Sequence, residues 1–420
     1  MTQPPLQTTK PTGSAARPIP IRALLLIPGG ISLLAGLNAA LQLLGLPAPV
    51  NLARLPDVHG LLMTLGFVGT LIVLERSVAY GKPVGYLPPV LLGAGGLTLI
   101  SPAPRGVAHS LLLAGMVGMC IMYVPLWRRN RDEAVLVQAI GAVMGAVAPA
   151  LLLAGMDINV LLPWLAGFVI LTISGERLEL ARMAMGPHAS ATLTTFAGGF
   201  LAAAIAALMW PLAGYPLLGF VLLLMTTWLG SHDVARKTIN ATGAVRFMAG
   251  CMLAAYVWLG LAGLVWMTGP AFSDARYDAV IHSIFVGFTM SMIMAHATVI
   301  LPAVIRRPLP YRSIMWLAAG VVHLGLVIRV WIGDGLGITV AHELGGFLNV
   351  IGLLGFFAIA AVSAIMGPPA KQPRPARQAA TASPAAPVSL SISTAKLSPS
   401  SISIPSTNTS GVSRPNGDSK

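Results

Sequence analysis

From residue 22 to residue 366 the chain is a succession of apolar runs separated by short polar loops. Runs of near membrane-crossing length occupy 22–46, 57–75, 86–102, 107–127, 135–155, 159–176, 192–213, 215–230, 246–268, 278–304, 312–332 and 342–366. A helix needs about 20 apolar residues to cross the hydrocarbon core of a bilayer. Backbone groups in hydrocarbon must bond internally, so each run is predicted to be helical. A transmembrane barrel would need period-two alternation, which these runs lack. Only 9% of the residues are charged, against roughly 25% in a soluble domain. The expected fold is an all-α polytopic membrane protein with twelve transmembrane helices, and its first partner is the lipid bilayer.

The net charge of +13 does not point to nucleic acid. Basic residues fall between the apolar runs, with no stripe of interleaved aromatics. With both termini on one side, that side holds Arg76, Lys82, Arg128, Arg129, Arg131, Arg177, Arg182, Arg236, Lys237, Arg246, Arg306, Arg307 and Arg312. The opposite side holds only Arg54, Arg105 and Arg276. This asymmetry predicts a bacterial inner (cytoplasmic) membrane protein with both termini cytoplasmic. The domain organisation expected is a disordered segment over 1–20, a membrane domain over 21–366 and a disordered Pro/Ser/Thr-rich tail over 367–420. The first segment lacks the apolar core of a cleavable signal. Cys120 and Cys251 both lie in apolar runs and read as small buried hydrophobes.

An internal repeat is suggested by two stretches. GFVGTLIVLER at 66–76 and GFVILTISGER at 167–177 share GFV, six residues, then ER. The tenth run carries Gly287-Phe288 and places His296 where the others place Glu75 and Glu176. Runs two, six and ten are four apart, which suggests three pseudo-repeats of four helices. Glu75-Arg76 and Glu176-Arg177 read as acids neutralising their neighbours.

Ionisable groups inside a membrane are costly and default to functional hypotheses. His59, His282 and His342 open the second, tenth and twelfth runs at similar depth. His296 lies fourteen residues beyond His282, about 21 Å along a helix and near the same face. His323 sits halfway along the antiparallel eleventh run, at the depth of His296. Two readings stand side by side: neutral imidazoles hydrogen-bonded to backbone carbonyls or Ser/Thr hydroxyls, or metal or haem ligands at two depths. The runs hold no thiolate pair and no carboxylate cluster, so imidazole ligation suits haem iron or copper. Met290, Met292 and Met294 offer soft donors but read first as packing. Arg329, Arg54 and Arg276 are candidate partners for haem propionates. No nucleophile triad, Walker loop or dinucleotide fingerprint is present.

The stretch HSIFVGFTMSMIMAHATVILPAVIRRPLPYR, followed by VVHLGLVIRV, resembles the NnrS family of twelve-helix nitric-oxide-response membrane proteins. The matching positions are His282 to Gly287, Arg307-Pro308-Leu309 and Val327-Ile328-Arg329-Val330. DVHGLLMTLGF in the second run is a partial counterpart of the family's WHAHE-type stretch, with His59 at one matching position. The resemblance implies haem and copper, and a role in nitrosative stress with nitric oxide or a related small molecule as ligand. A more distant likeness is to subunit I of the haem–copper oxidases, whose low-spin haem ligands lie on helices two and ten. His59 and His282 occupy those positions. The His-His pair of the seventh helix and the histidine of the sixth are missing, so no binuclear centre is implied. The resemblance thus implies a b-type haem on His59 and His282, with Arg329 as a propionate partner. His296 and His323 form a second expected site, and His342 is the next outer candidate. The alternatives are a cofactor-free secondary transporter with histidines along a polar path, and a membrane scaffold for complex assembly.

Overall fold

A computed structural model describes residues 21–368. The expectations for 1–20 and for 369–420 lie outside the described residues. Twelve helices are long and apolar enough to cross a membrane. We number them α1 (Arg22–Leu43), α2 (Leu55–Tyr80), α3 (Pro83–Ile100), α4 (Arg105–Arg129), α5 (Glu133–Leu153) and α6 (Ile158–Met185). They continue as α7 (Ala189–Met209), α8 (Pro211–His232), α9 (Gly243–Met267), α10 (Asp274–Ile305), α11 (Met315–Asp334) and α12 (Thr339–Met366). The fold is an all-α, twelve-helix membrane bundle, as the apolar runs predict. No strand occurs among the described residues.

The connections are short and chemically defined. Gly81 closes α2 with φ +76, a left-handed conformation that glycine adopts without strain. Between α4 and α5, Arg131 turns left-handed (φ +50) and Asp132 caps α5 by accepting the Ala134 N–H at 2.9 Å. A side-chain acceptor at this position satisfies one of the orphan amides of a helix start.

The helices are not equivalent. In α2, α6 and α10, 78, 83 and 67% of the most apolar stretch is buried, against 33–50% in the other nine. These three are the central helices, four apart in sequence, and the rest pack around them. The Gly-Phe motif explains how the neighbours get close. A Cβ on Gly66 would lie 2.9 Å from Ser32 Oγ of α1. One on Gly167 would lie 2.3 Å from Met144 Cε of α5, and one on Gly287 would lie 2.4 Å from Trp258 Cγ of α9. In each unit the central glycine therefore admits the helix before it, as small residues do at membrane helix contacts. The following Phe67, Phe168 and Phe288 are all buried. The burial pattern and this shared register support the threefold repeat.

Of the basic residues placed between the apolar runs, Arg128, Arg129, Arg182 and Arg246 lie at helix ends, and two more are buried within helices. Arg76 and Arg177 lie inside α2 and α6, with side chains only 12 and 7% exposed. The helices continue past the apolar runs because buried acids neutralise these cations. The side bearing the chain ends then keeps eleven of its thirteen basic residues, still against three.

Three helices carry π-type segments, in which the backbone bond spans one residue more than in an α-helix. They cover Leu62–Gly69 in α2, Ser283–Met290 in α10 and Val327–Asp334 in α11. Such segments are rare and are found mostly at functional sites. The first begins three residues after His59, the second directly after His282, and the third contains Arg329.

Candidate functional site

A narrow cavity of about 100 Å³ lies at the end of the bundle where α2 and α10 begin. His59, His282, Met290, Arg329 and Asn349 line it, with apolar residues of α1, α6 and α12. Six helices contribute to the walls of this small cavity, here called the slot.

The two imidazoles are oriented alike. His59 Nδ1 lies 2.9 Å from the Gly36 carbonyl, and His282 Nδ1 lies 3.0 Å from the Asp278 carbonyl. A carbonyl oxygen only accepts, so each Nδ1 carries the proton and donates it. Each Nε2 then keeps its lone pair, and neither has a hydrogen bond among the described residues. Fixing one ring nitrogen to set the tautomer of the other is how ligating histidines are prepared.

His282 is held more firmly than its sequence suggests. The Asp278 carboxylate lies 3.1 Å from its Nδ1, one helical turn back. The same carboxylate takes a bidentate grip from Arg329, with Nε to Oδ2 and Nη2 to Oδ1 both at 2.7 Å. The carboxylate facing Arg329 is thus the protein's own, not a ligand's as the propionate role supposes. Arg329 Nη1 points instead toward Gly346, where a Cβ would lie 2.4 Å away. Of the other two propionate candidates, Arg54 donates from Nη2 to the Ala103 carbonyl while its Nε is buried without a partner among the described residues, and Arg276 donates to Val265, Thr268 and Gly269.

His342 does not line the slot. Its Nδ1 meets Asp334 Oδ1 at 2.8 Å, across the turn between α11 and α12. Ligand atoms of Asp278, Asp334 and His342 lie within 4.8 Å of one another. Arg329 already occupies both oxygens of Asp278, so this group reads as an ion-pair network rather than a vacant metal cage. Asp278 and Asp334 were not singled out by sequence reasoning. The available signal was the Asp-x-x-x-His spacing of Asp278 and His282, which puts both on one face of α10.

The expected second pair is not brought together. His296 is buried, donates from Nδ1 to the Met292 carbonyl at 2.8 Å, and faces Arg177 Nη1 through Nε2 at 3.2 Å. Both its ring nitrogens are engaged. His323 accepts from the Trp258 indole at 3.0 Å and approaches Ser291 at 3.5 Å. The two histidines share no hydrogen-bond partner among the described residues.

His296 belongs to a different constellation. Arg177 pairs with Asp233 through Nε at 3.0 Å and Nη2 at 2.9 Å, and Tyr256 donates to Asp233 at 2.7 Å. Glu176 does not neutralise its neighbour Arg177. It turns instead to Arg76 of α2 at 3.4 Å, which also meets Glu75 at 3.0 Å and Glu179 at 3.2 Å. The repeat-equivalent Glu75, Glu176 and His296 all line a second cavity of about 550 Å³ at the opposite end of the central helices.

The model of a family described as "Domain of unknown function (DUF8744)" matches residues 22–365. No curated protein and no solved structure matches the chain.

Proposed function

The chain belongs to the DUF8744 family, and we propose that its membrane domain binds a b-type haem and acts in the response to nitric oxide or nitrosative stress. One observation carries this reading. His59 and His282, on two central helices, line one cavity, with both Nδ1 protons tied to carbonyls and neither Nε2 hydrogen-bonded among the described residues. Neutral imidazole is a standard axial ligand of haem iron; at about 100 Å³ the cavity would have to open to admit the macrocycle. The donor set therefore fits the group. His59 and His282 would hold it, and the Asp278–Arg329 pair would orient His282 and raise its basicity as a ligand. Haem would supply a redox-active iron, which could take nitric oxide on release of one of the two histidines. A copper ion would find Met290 as its thioether donor on the same slot. The similarity to NnrS proteins of the α10 and α11 stretches supports the same reading. The charge asymmetry supports placement in a bacterial inner membrane with the slot on the side away from the cytoplasm.

A second reading, a cofactor-free transporter, draws on Val68. This residue sits in the π-type segment of α2 and lines both cavities. A path through the protein would have to pass it. One experiment separates the two readings. The protein is purified after expression with ample haem, and its visible spectrum and pyridine haemochrome are recorded with and without nitric oxide. A Soret band that shifts with nitric oxide is expected. A colourless preparation would reject the haem reading and favour transport.

A further inference from the structure

The larger cavity is not used by the haem reading. It lies among α1, α2, α6 and α10, and its lining changes character from rim to floor. The rim carries Leu34, Leu180 and Val299, which are 58, 66 and 55% exposed. On a membrane-spanning bundle such residues face lipid chains, so a ligand enters from the hydrocarbon. The walls are apolar and include Phe67 and Phe357, packed edge to face with centroids 5.5 Å apart. The floor is ionisable: Glu75, Arg76, Glu176, Arg177, Glu179 and His296.

Counting partners on that floor gives its chemistry. Arg177 is committed to Asp233 and His296. His296 has no free ring nitrogen. Among the described residues Arg76 is the one cation paired with Glu75, Glu176 and Glu179, and Gln138 adds a single donor, to Glu179 at 3.2 Å. Three carboxylates against one guanidinium leave acceptors in surplus, and Glu176 Oε1 is buried without a hydrogen bond. Arg76 Nη2 stands 3.4 Å from that oxygen without completing a hydrogen bond, and a buried acceptor in this state is costly, so a donor is what the floor lacks. An anionic head such as a phosphate or a fatty carboxylate would meet repulsion. A neutral head carrying hydroxyl donors on a flat ring meets both the acceptors and the aromatic wall. At about 550 Å³ the cavity is within the range of small-molecule sites.

We propose that this cavity binds a membrane-soluble quinol, with a ring hydroxyl donating to Glu176 and the ring against Phe67 and Phe357. It sits where the three pseudo-repeats meet, as ligand sites in repeated membrane folds do. The inference stands apart from the haem reading, because the two cavities have different floors.

The test uses the full chain in nanodiscs of synthetic phosphatidylcholine free of quinone, titrated with tritiated decylubiquinol under nitrogen. Saturable binding at one site per chain is expected. Glu176→Leu, which removes the acceptor, should weaken it at least fivefold; Arg76 keeps Glu75 and Glu179, so its pairing survives. Gly30→Leu should abolish it. Gly30 lines the cavity, and a Cβ there meets nothing within 4 Å, so the added side chain fills the space without a clash. His232→Ala, at an exposed position lining neither cavity, should bind as the wild type does. The proposal is overturned if the wild type shows no saturable binding, or if both cavity variants bind unchanged. It is also overturned if palmitate or phosphatidylglycerol displaces the quinol as well as unlabelled quinol does, since the cavity would then be a general lipid gap.

Discussion

At the scale of single residues, the slot and the ion pairs make opposite demands. His59→Ala or His282→Ala should each remove one axial bond, and the purified protein should lose most of its Soret absorbance or turn high-spin. His232→Ala should leave the spectrum unchanged, since that ring stacks on Trp228 at 5.1 Å. Asp278→Ala should both loosen His282 and leave the buried Arg329 without a counter-charge. Its expected signature is lower haem occupancy together with a lower melting temperature. Asp233 tests the other network. Its side chain is fully buried, and it satisfies Arg177 and Tyr256 at once. Removing one partner of a buried pair typically costs about 3–5 kcal/mol, so Asp233→Ala should strongly lower the melting temperature in detergent. The pairing of Arg182 with Asp132 is a useful contrast, because the arginine is 47% exposed. Exposed pairs contribute about 1 kcal/mol or less, so Arg182→Ala should melt close to the wild type.

At the scale of helices, the Gly-Phe motif is a packing device, and it makes a quantitative claim. Gly287→Ala puts a methyl 2.4 Å from the Trp258 ring, on the rigid part of the indole. Overpacking of this kind costs roughly 1–3 kcal/mol. Gly355, in the middle of α12, has open space where a methyl would sit, with nothing within 4 Å. There the entropic cost of glycine should dominate, and Gly355→Ala should gain about 0.5–1 kcal/mol. Thermal unfolding of the two variants side by side checks the sign of each effect. Equal effects would mean that the glycine register does not control the approach of α9 to α10.

At the scale of the whole molecule, the charge asymmetry predicts orientation. A reporter fused at Gly335, between α11 and α12, should read the non-cytoplasmic side. One fused at Asn408 should read the cytoplasm. Identical readings would contradict a twelve-helix topology with both ends inside. Setting Arg76 and Arg177 aside leaves this expectation intact, because eleven basic residues remain on the side of the chain ends against three on the other. The same two residues shift the functional picture. They join α2 to α6, and α6 to α10, at the floor of the larger cavity.

What the sequence by itself determined is whatever one helix can encode. Apolar length makes a crossing, so all twelve runs became helices, and the placement of charge predicts their direction. The spacing of Gly66 to Glu75, Gly167 to Glu176 and Gly287 to His296 marked the three helices that prove most buried. Side-chain partners were decided only by the tertiary structure. Depth along a helix put His296 level with His323, yet rotation about the axis turned one toward Arg177 and the other toward Trp258. Adjacency in the chain suggested that Glu176 neutralises Arg177, but consecutive residues on a helix point about 100° apart. Glu176 therefore meets Arg76 on one neighbour, and Arg177 reaches Asp233 on another side. Composition fixes that charges inside a membrane must find partners; the packing of twelve helices fixes which partners they find.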